Sequence, residues 1–140
     1  MMNPGIKIRS DTVERVMKAL QGETPRGTII LVVSWIDHML KLKFMHEFSH
    51  GSAKVQESLY GYGGAFSSLS SKIKTAYAAG WIDAEVFFDL NLLRDLRNDY
   101  AHCIEPLSMD EADTRRRLNQ LKTPHRVYTD WGKVRASEVK

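Results

Sequence analysis

Cysteine is almost missing from this chain. Cys103 is the only one among 140 residues, which rules out an internal disulfide framework and fits a reducing compartment. Long apolar runs are missing too. The longest strongly apolar stretch, Ile29 to Val33, falls far short of the roughly 20 residues needed to cross a bilayer. The opening Met1-Met2-Asn3-Pro4-Gly5 lacks the basic-then-apolar order of a secretory signal. Nowhere does an alternation of period two persist over the length of a strand, and no internal repeat stands out. A disulfide scaffold, a membrane span and a sheet architecture are thereby set aside, and a cytoplasmic protein without membrane contact is expected.

What the chain does have is helical periodicity. With 43% hydrophobic residues in 16.0 kDa, there is apolar material for one core and hence one domain. Asp11-Thr12-Val13-Glu14 has the spacing of a capping box, and Val13, Val16, Met17 and Leu20 follow on one face until Gly22. Thr24-Pro25 supplies an N-cap with proline at the first helical position. The second helix behind it, from Ile29 to Phe44, is apolar around much of its girth and so expected to be central. Gly51 to Gly64 reads as a loop with at most one helical turn at Ala53 to Leu59.

A third helix is expected from about Ser67 to Ala79, with Leu69, Ile73, Ala76 and Tyr77 inward and Gly80 ending it in a left-handed conformation. Asp83 should cap the fourth, with Ile82 and Phe87 at the spacing of a hydrophobic staple, and Pro106 marks its end at the latest. Ser108-Met109-Asp110-Glu111 is a further capping box, opening a fifth helix in which Glu111 with Arg115 and Asp113 with Arg117 are i, i+4 pairs of favourable order. The expected fold class is therefore an all-α, single-domain bundle of about five helices over residues 1–122, with a basic tail over 123–140.

The fourth helix carries the most information. At 100° per residue, Val86, Leu90, Leu93, Arg97, Tyr100 and Ile104 fall within about 40° of one line, the stripe by which a helix docks on a core. An arginine thus sits amid an apolar face. Burying an unpaired guanidinium is too costly to be incidental, so Arg97 is expected to have an acceptor within the chain, across a subunit interface or on a ligand. Asp95, Asn98, Asp99 and His102 recur at i, i+3, i+4, i+7 as a second, polar stripe on the opposite side.

Charge is unevenly spread. The net charge is +3, but the eight Lys/Arg from Arg115 to Lys140 face only Asp130 and Glu138, so this end carries +6 and residues 1–114 carry −3. Such a tail suits an anionic partner such as nucleic acid, although a merely solvated terminus is the plainer reading.

Three motifs point to chemistry and then fall short of it. His46-Glu47-Phe48-Ser49-His50 matches H-E-x-x-H, in which two histidines four apart on a helix face one zinc and the glutamate polarises its water. Gln56 and Ala53 stand where an extended motif would place its next histidine and its glycine, and Gly51 ends the helical context at once. No metal or cofactor is expected. Ala76, Gly80 and Val86 have the spacing of a helix-turn-helix, but the would-be recognition helix opens Ala84-Glu85-Val86-Phe87-Phe88-Asp89, an acidic surface that DNA phosphates would repel. Gly61-Tyr62-Gly63-Gly64 lacks the preceding strand and the following Gly-Lys-Ser/Thr of a phosphate-binding loop, and reads as a turn between helices.

The run from Gly64-Ala65-Phe66-Ser67 through Lys72-Ile73-Lys74-Thr75-Ala76-Tyr77-Ala78-Ala79-Gly80-Trp81-Ile82, then Leu92-Leu93 and Arg97-Asn98-x-x-Ala101-His102, resembles the mannitol operon repressor family of bacterial regulators. The resemblance covers about 40 residues. It implies an all-helical protein that acts on transcription through protein contacts and not through a recognisable DNA-binding motif. The segment Arg97 to His102 also looks like the Arg-x4-6-His signature of HEPN-type ribonucleases, helical domains that dimerise around a composite, metal-free active site. That likeness implies His102 as general acid or base, Arg97 holding the scissile phosphate and Asn98 positioning it. On a continuous helix, however, Arg97 and His102 lie about 140° apart, so both reach one phosphate only across a helix break or a two-fold axis. Structural roles for both residues, a paired arginine and a helix-end histidine, remain open beside these. The expectation is a cytoplasmic homodimer that regulates transcription by binding another macromolecule, not an enzyme; the alternative is a HEPN-like, toxin-type endoribonuclease.

Overall fold

The computed structural model describes residues 10–103 and 111–124, the side chains of Ser10 and Glu111 excepted. These residues form six helices and no strand: α1 (Ser10–Leu20), α2 (Pro25–Glu47), α3 (Ala53–Tyr60), α4 (Leu69–Ala78), α5 (Ala84–His102) and α6 (Glu111–Leu118). The all-α bundle expected from periodicity is what the chain builds, with one helix more than the five anticipated. The addition is α3, where a single turn was expected. Ser52 caps it through its side chain, which accepts from the Val55 N–H.

The ends of the other helices follow local chemistry. Thr24 Oγ1 accepts from Gly27 N at 3.0 Å with Pro25 at the first helical position, and Asp83 Oδ1 accepts from Val86 N at 2.9 Å. Gly80 has φ +72°. Its N–H donates to Tyr77 O and the Trp81 N–H to Ala76 O, the paired bonds that close a helix on a left-handed residue. Asp11 differs from expectation, since α1 already begins at Ser10 and the carboxylate stands in its first turn, where the helix dipole favours it. The capping box at 108–111, Ile104, Pro106 and the tail from 125 lie outside the described residues.

Three helices make the core. Ile29 and Val33 of α2, Leu69 and Ile73 of α4, and Leu96 and Tyr100 of α5 are buried together. Each fully buried side chain of this size contributes about 1.5–3 kcal/mol. An aromatic cluster extends the core at the far end of α2. Phe44 is fully buried, its ring 4.6 Å from Phe66 and 5.1 Å from Trp81.

One charged contact sits where two apolar stripes cross. Asp37 continues the line of Ile29 and Val33 along α2, and Lys72 that of Leu69 and Ile73 on α4. Lys72 is only 2% exposed. Its Nζ lies 2.9 Å from Asp37 Oδ1, an ion pair whose angle is not that of a hydrogen bond, and donates to Phe66 O at 3.1 Å.

α6 is held by polar contacts to α5. Tyr100 Oη and Thr114 Oγ1 share a buried hydrogen bond of 2.6 Å. Arg117 Nη1 reaches Asp99 at 2.6 Å and the expected partner Asp113 only at 4.0 Å. Just beyond α6, Asp89 of α5 accepts from Lys122 N, Thr123 N and the Thr123 hydroxyl, so the chain is still fastened to the bundle at the expected start of the tail.

Candidate functional site

α5 docks on a different line from the one drawn through Arg97. Its buried residues are Asp89, Leu96 and Tyr100, a direction rotated by about 60° from the expected stripe. The apolar arc is broad enough to include Leu92 and Leu93, which pack on the core. The acid Asp89 completes it because three donors from Lys122 and Thr123 satisfy its carboxylate. Arg97 therefore does not lie on the fully buried line but about 80° round the axis from it, at a margin it shares with Leu90, which also packs on the core.

That margin is a cleft. Ser68, Leu69, Ser70 and Lys74 of the α4 side and Asn91, Arg94, Arg97 and Asn98 of α5 line a hollow of about 390 Å³. Ser70 and Lys74 are one turn apart on α4, and Asn91, Arg94 and Asn98 recur at i, i+3, i+7 on α5, so two polar stripes face each other across the groove. Arg94 spans it, donating from Nη1 to Ser70 Oγ at 3.0 Å and from Nη2 to Asp95 Oδ1 at 2.8 Å. Asn91 donates to Phe87 O at 2.8 Å. Arg97 is half-buried, and its Nε is cut off from solvent with no hydrogen-bond partner. The acceptor expected for Arg97 is not found among the described residues. A buried N–H left unmet in this way costs about 1–3 kcal/mol or more for a charged group.

The residues of the ribonuclease-like signature separate. Arg97 and Asn98 share the groove, whereas His102 is exposed at the end of α5. The helix runs unbroken from Ala84 to His102, which keeps the imidazole about 140° round the axis from the guanidinium. The expected polar stripe on the opposite side is divided accordingly. Asn98 goes with Arg97, while Asp95 serves Arg94 and Asp99 serves Arg117.

His46 and Glu47 occupy the last turn of α2, and Phe48 is already its C-cap, so His50 falls beyond the helix. Gln56 uses its side-chain amide to bind Phe48 O at 2.7 Å and His50 O at 2.8 Å, a structural task at the position where a zinc motif would hold a ligand. Glu47 pairs with the Lys43 ammonium, which holds its carboxyl below the ordinary value. Among the described residues, no group of three or more His, Cys, Asp or Glu could hold a metal ion. No helix among them is long and apolar enough to cross a membrane. The would-be recognition helix has Glu85 and Phe88 exposed near its start, and its first base, Arg94, is turned into the groove.

Compared with known proteins, the chain matches no family model, no curated protein and no solved structure.

Periodicity had not singled out Ser70, Lys74, Asn91 and Arg94. The signal was present in the i, i+3, i+7 spacing of Asn91, Arg94 and Asn98, but it was masked by the stronger apolar stripe beside it.

Proposed function

We propose that this is a cytoplasmic helical regulator of transcription of the mannitol-repressor-like kind, which works by holding another macromolecule in the α4/α5 groove. The observation that carries the reading is the groove itself, where half-buried Arg97 lines one wall with Arg94 and Asn98 and has no acceptor among the described residues. A group in that state is stabilised by an incoming acceptor, and the side chains around it are binders rather than nucleophiles. The chain acts as a homodimer in this reading. Leu31, Leu42 and Met45, exposed along α2, offer apolar area for self-association, and sedimentation of the purified protein measures it.

The second reading is the HEPN-like endoribonuclease, favoured by the meeting of Arg97 and Asn98 in one groove. It requires His102 from a second copy to complete the site. Expression of the wild type beside Arg97→Gln and His102→Ala in a bacterial host, with both transcript levels and RNA integrity followed, separates the two. A regulator changes particular transcripts while RNA stays intact, loses that effect in Arg97→Gln and keeps it in His102→Ala. RNA breakdown that disappears in His102→Ala overturns the regulator and leaves the nuclease.

A further inference from the structure

From the groove between α4 and α5 we infer that the group it takes is a phosphate monoester, seated on Arg97, Arg94, Lys74 and the Ser70 hydroxyl. This deepens the reading above and rests on the groove being the binding surface.

Charge selects the ligand class. Three cations line the groove, Lys74, Arg94 and Arg97, and among the described residues the one carboxylate engaged with them is Asp95. The excess of two positive charges matches a dianionic monoester, which carries about −1.5 to −2 near neutral pH, better than a singly charged carboxylate or a diester of a nucleic-acid backbone. Donor geometry points the same way. Arg97 lines the groove, and the outer N–H groups of its guanidinium, beyond the enclosed Nε, make a fork suited to two oxygens of one phosphoryl group. Ser70 Oγ accepts from Arg94 at 3.0 Å, which leaves its own proton free to donate to a third oxygen. The Asn98 side chain lines the same wall and adds an amide donor.

The groove is an open hollow. Its about 390 Å³ has room for a phosphoryl group with a small organic carrier, and Leu69 in its lining offers that carrier an apolar contact. The carrier is therefore either a small phosphorylated metabolite or a single phosphorylated side chain of a protein, and the two differ in what lies outside the groove.

The test is titration of the full-length, isotope-labelled protein by NMR with methyl phosphate, dimethyl phosphate, glycerol phosphate, and a serine peptide with and without its phosphate. Methyl phosphate is expected to give saturable shifts confined to residues 68–74 and 91–98, and dimethyl phosphate to bind at least about tenfold more weakly for want of one charge. Arg97→Gln is expected to weaken methyl phosphate by about tenfold or more and Arg97→Lys by less. The exposed Lys74→Gln leaves the core untouched and should weaken binding several-fold even if the Arg97 variants fold poorly. Tighter binding of the phosphopeptide than of glycerol phosphate assigns the protein source, in keeping with a macromolecule held in the groove; the reverse assigns a metabolite and moves the regulator's macromolecular contact outside the groove. Shifts scattered over surface lysines and unchanged in the variants, that is, an adventitious ion only, overturn the inference, as does equal binding of dimethyl phosphate. If transcripts still respond to Arg97→Gln while no monoester binds, the regulator stands and the phosphate falls; monoester binding with no effect on transcripts has the opposite meaning.

Discussion

Asp89 is an acid at 4% exposure, and it is tolerated because the chain returns from α6 to surround it. Burial pushes its carboxyl up, but the Thr123 hydroxyl and the two main-chain N–H groups outweigh this and hold it below the ordinary 3.8. A carboxyl whose folded value is depressed contributes stability above its unfolded value and loses it as pH falls through the folded one. Asp89→Ala is therefore expected to cost about 2 kcal/mol at neutral pH by urea denaturation. The difference between variant and wild type should shrink steadily below about pH 4. A difference that does not change between pH 7 and pH 2 would show that the ionised form is not what fastens Lys122 and Thr123. Lone polar residues such as Asp89 and Lys72 could not be read from periodicity. Their burial depends on partners from other elements and turns, Asp37 and Phe66 for Lys72, and Lys122 and Thr123 for Asp89.

At the level of the element, local chemistry was legible and register was not. The caps at Thr24 and Asp83 and the left-handed Gly80 are short-range devices, and the spacing of a few residues suffices to reveal them. Tyr77 shows the limit. It falls on the inward line of α4, yet it is 44% exposed and stacked on Phe87, with 4.6 Å between ring centroids. The turn between α3 and α4 is the tightest element. A Cβ on Gly64 would stand 2.3 Å from Ser58 O and 2.5 Å from Leu59 O, while Phe66 N donates to Leu59 O at 2.8 Å across the same approach. Gly64→Ala should push the turn away from the end of α3 and cost about 2 kcal/mol. The measurement is the urea midpoint at unchanged m-value, and an unaltered midpoint would mean that the backbone can yield there.

Across the whole molecule, the core is assembled from residues far apart in the chain. Ile29, Val33 and Phe44 come from the first half, and Leu69, Ile73, Leu96 and Tyr100 from the second. Between the halves runs the turn after α3, where Tyr62 is fully exposed while the neighbouring main chain is pinned by Gly64 N to Gly61 O at 2.9 Å. An aromatic side chain at a surface tip is a natural target for chymotrypsin. A single nick after Tyr62 should leave two pieces that migrate together under native conditions and apart in denaturant, since the scission spares every buried contact that joins them. Native gel filtration decides it, and pieces that elute separately would show that the junction between halves is weaker than its burial implies. If they stay together, the coding sequence can be split at this position and the halves expressed separately, each incomplete until it meets the other.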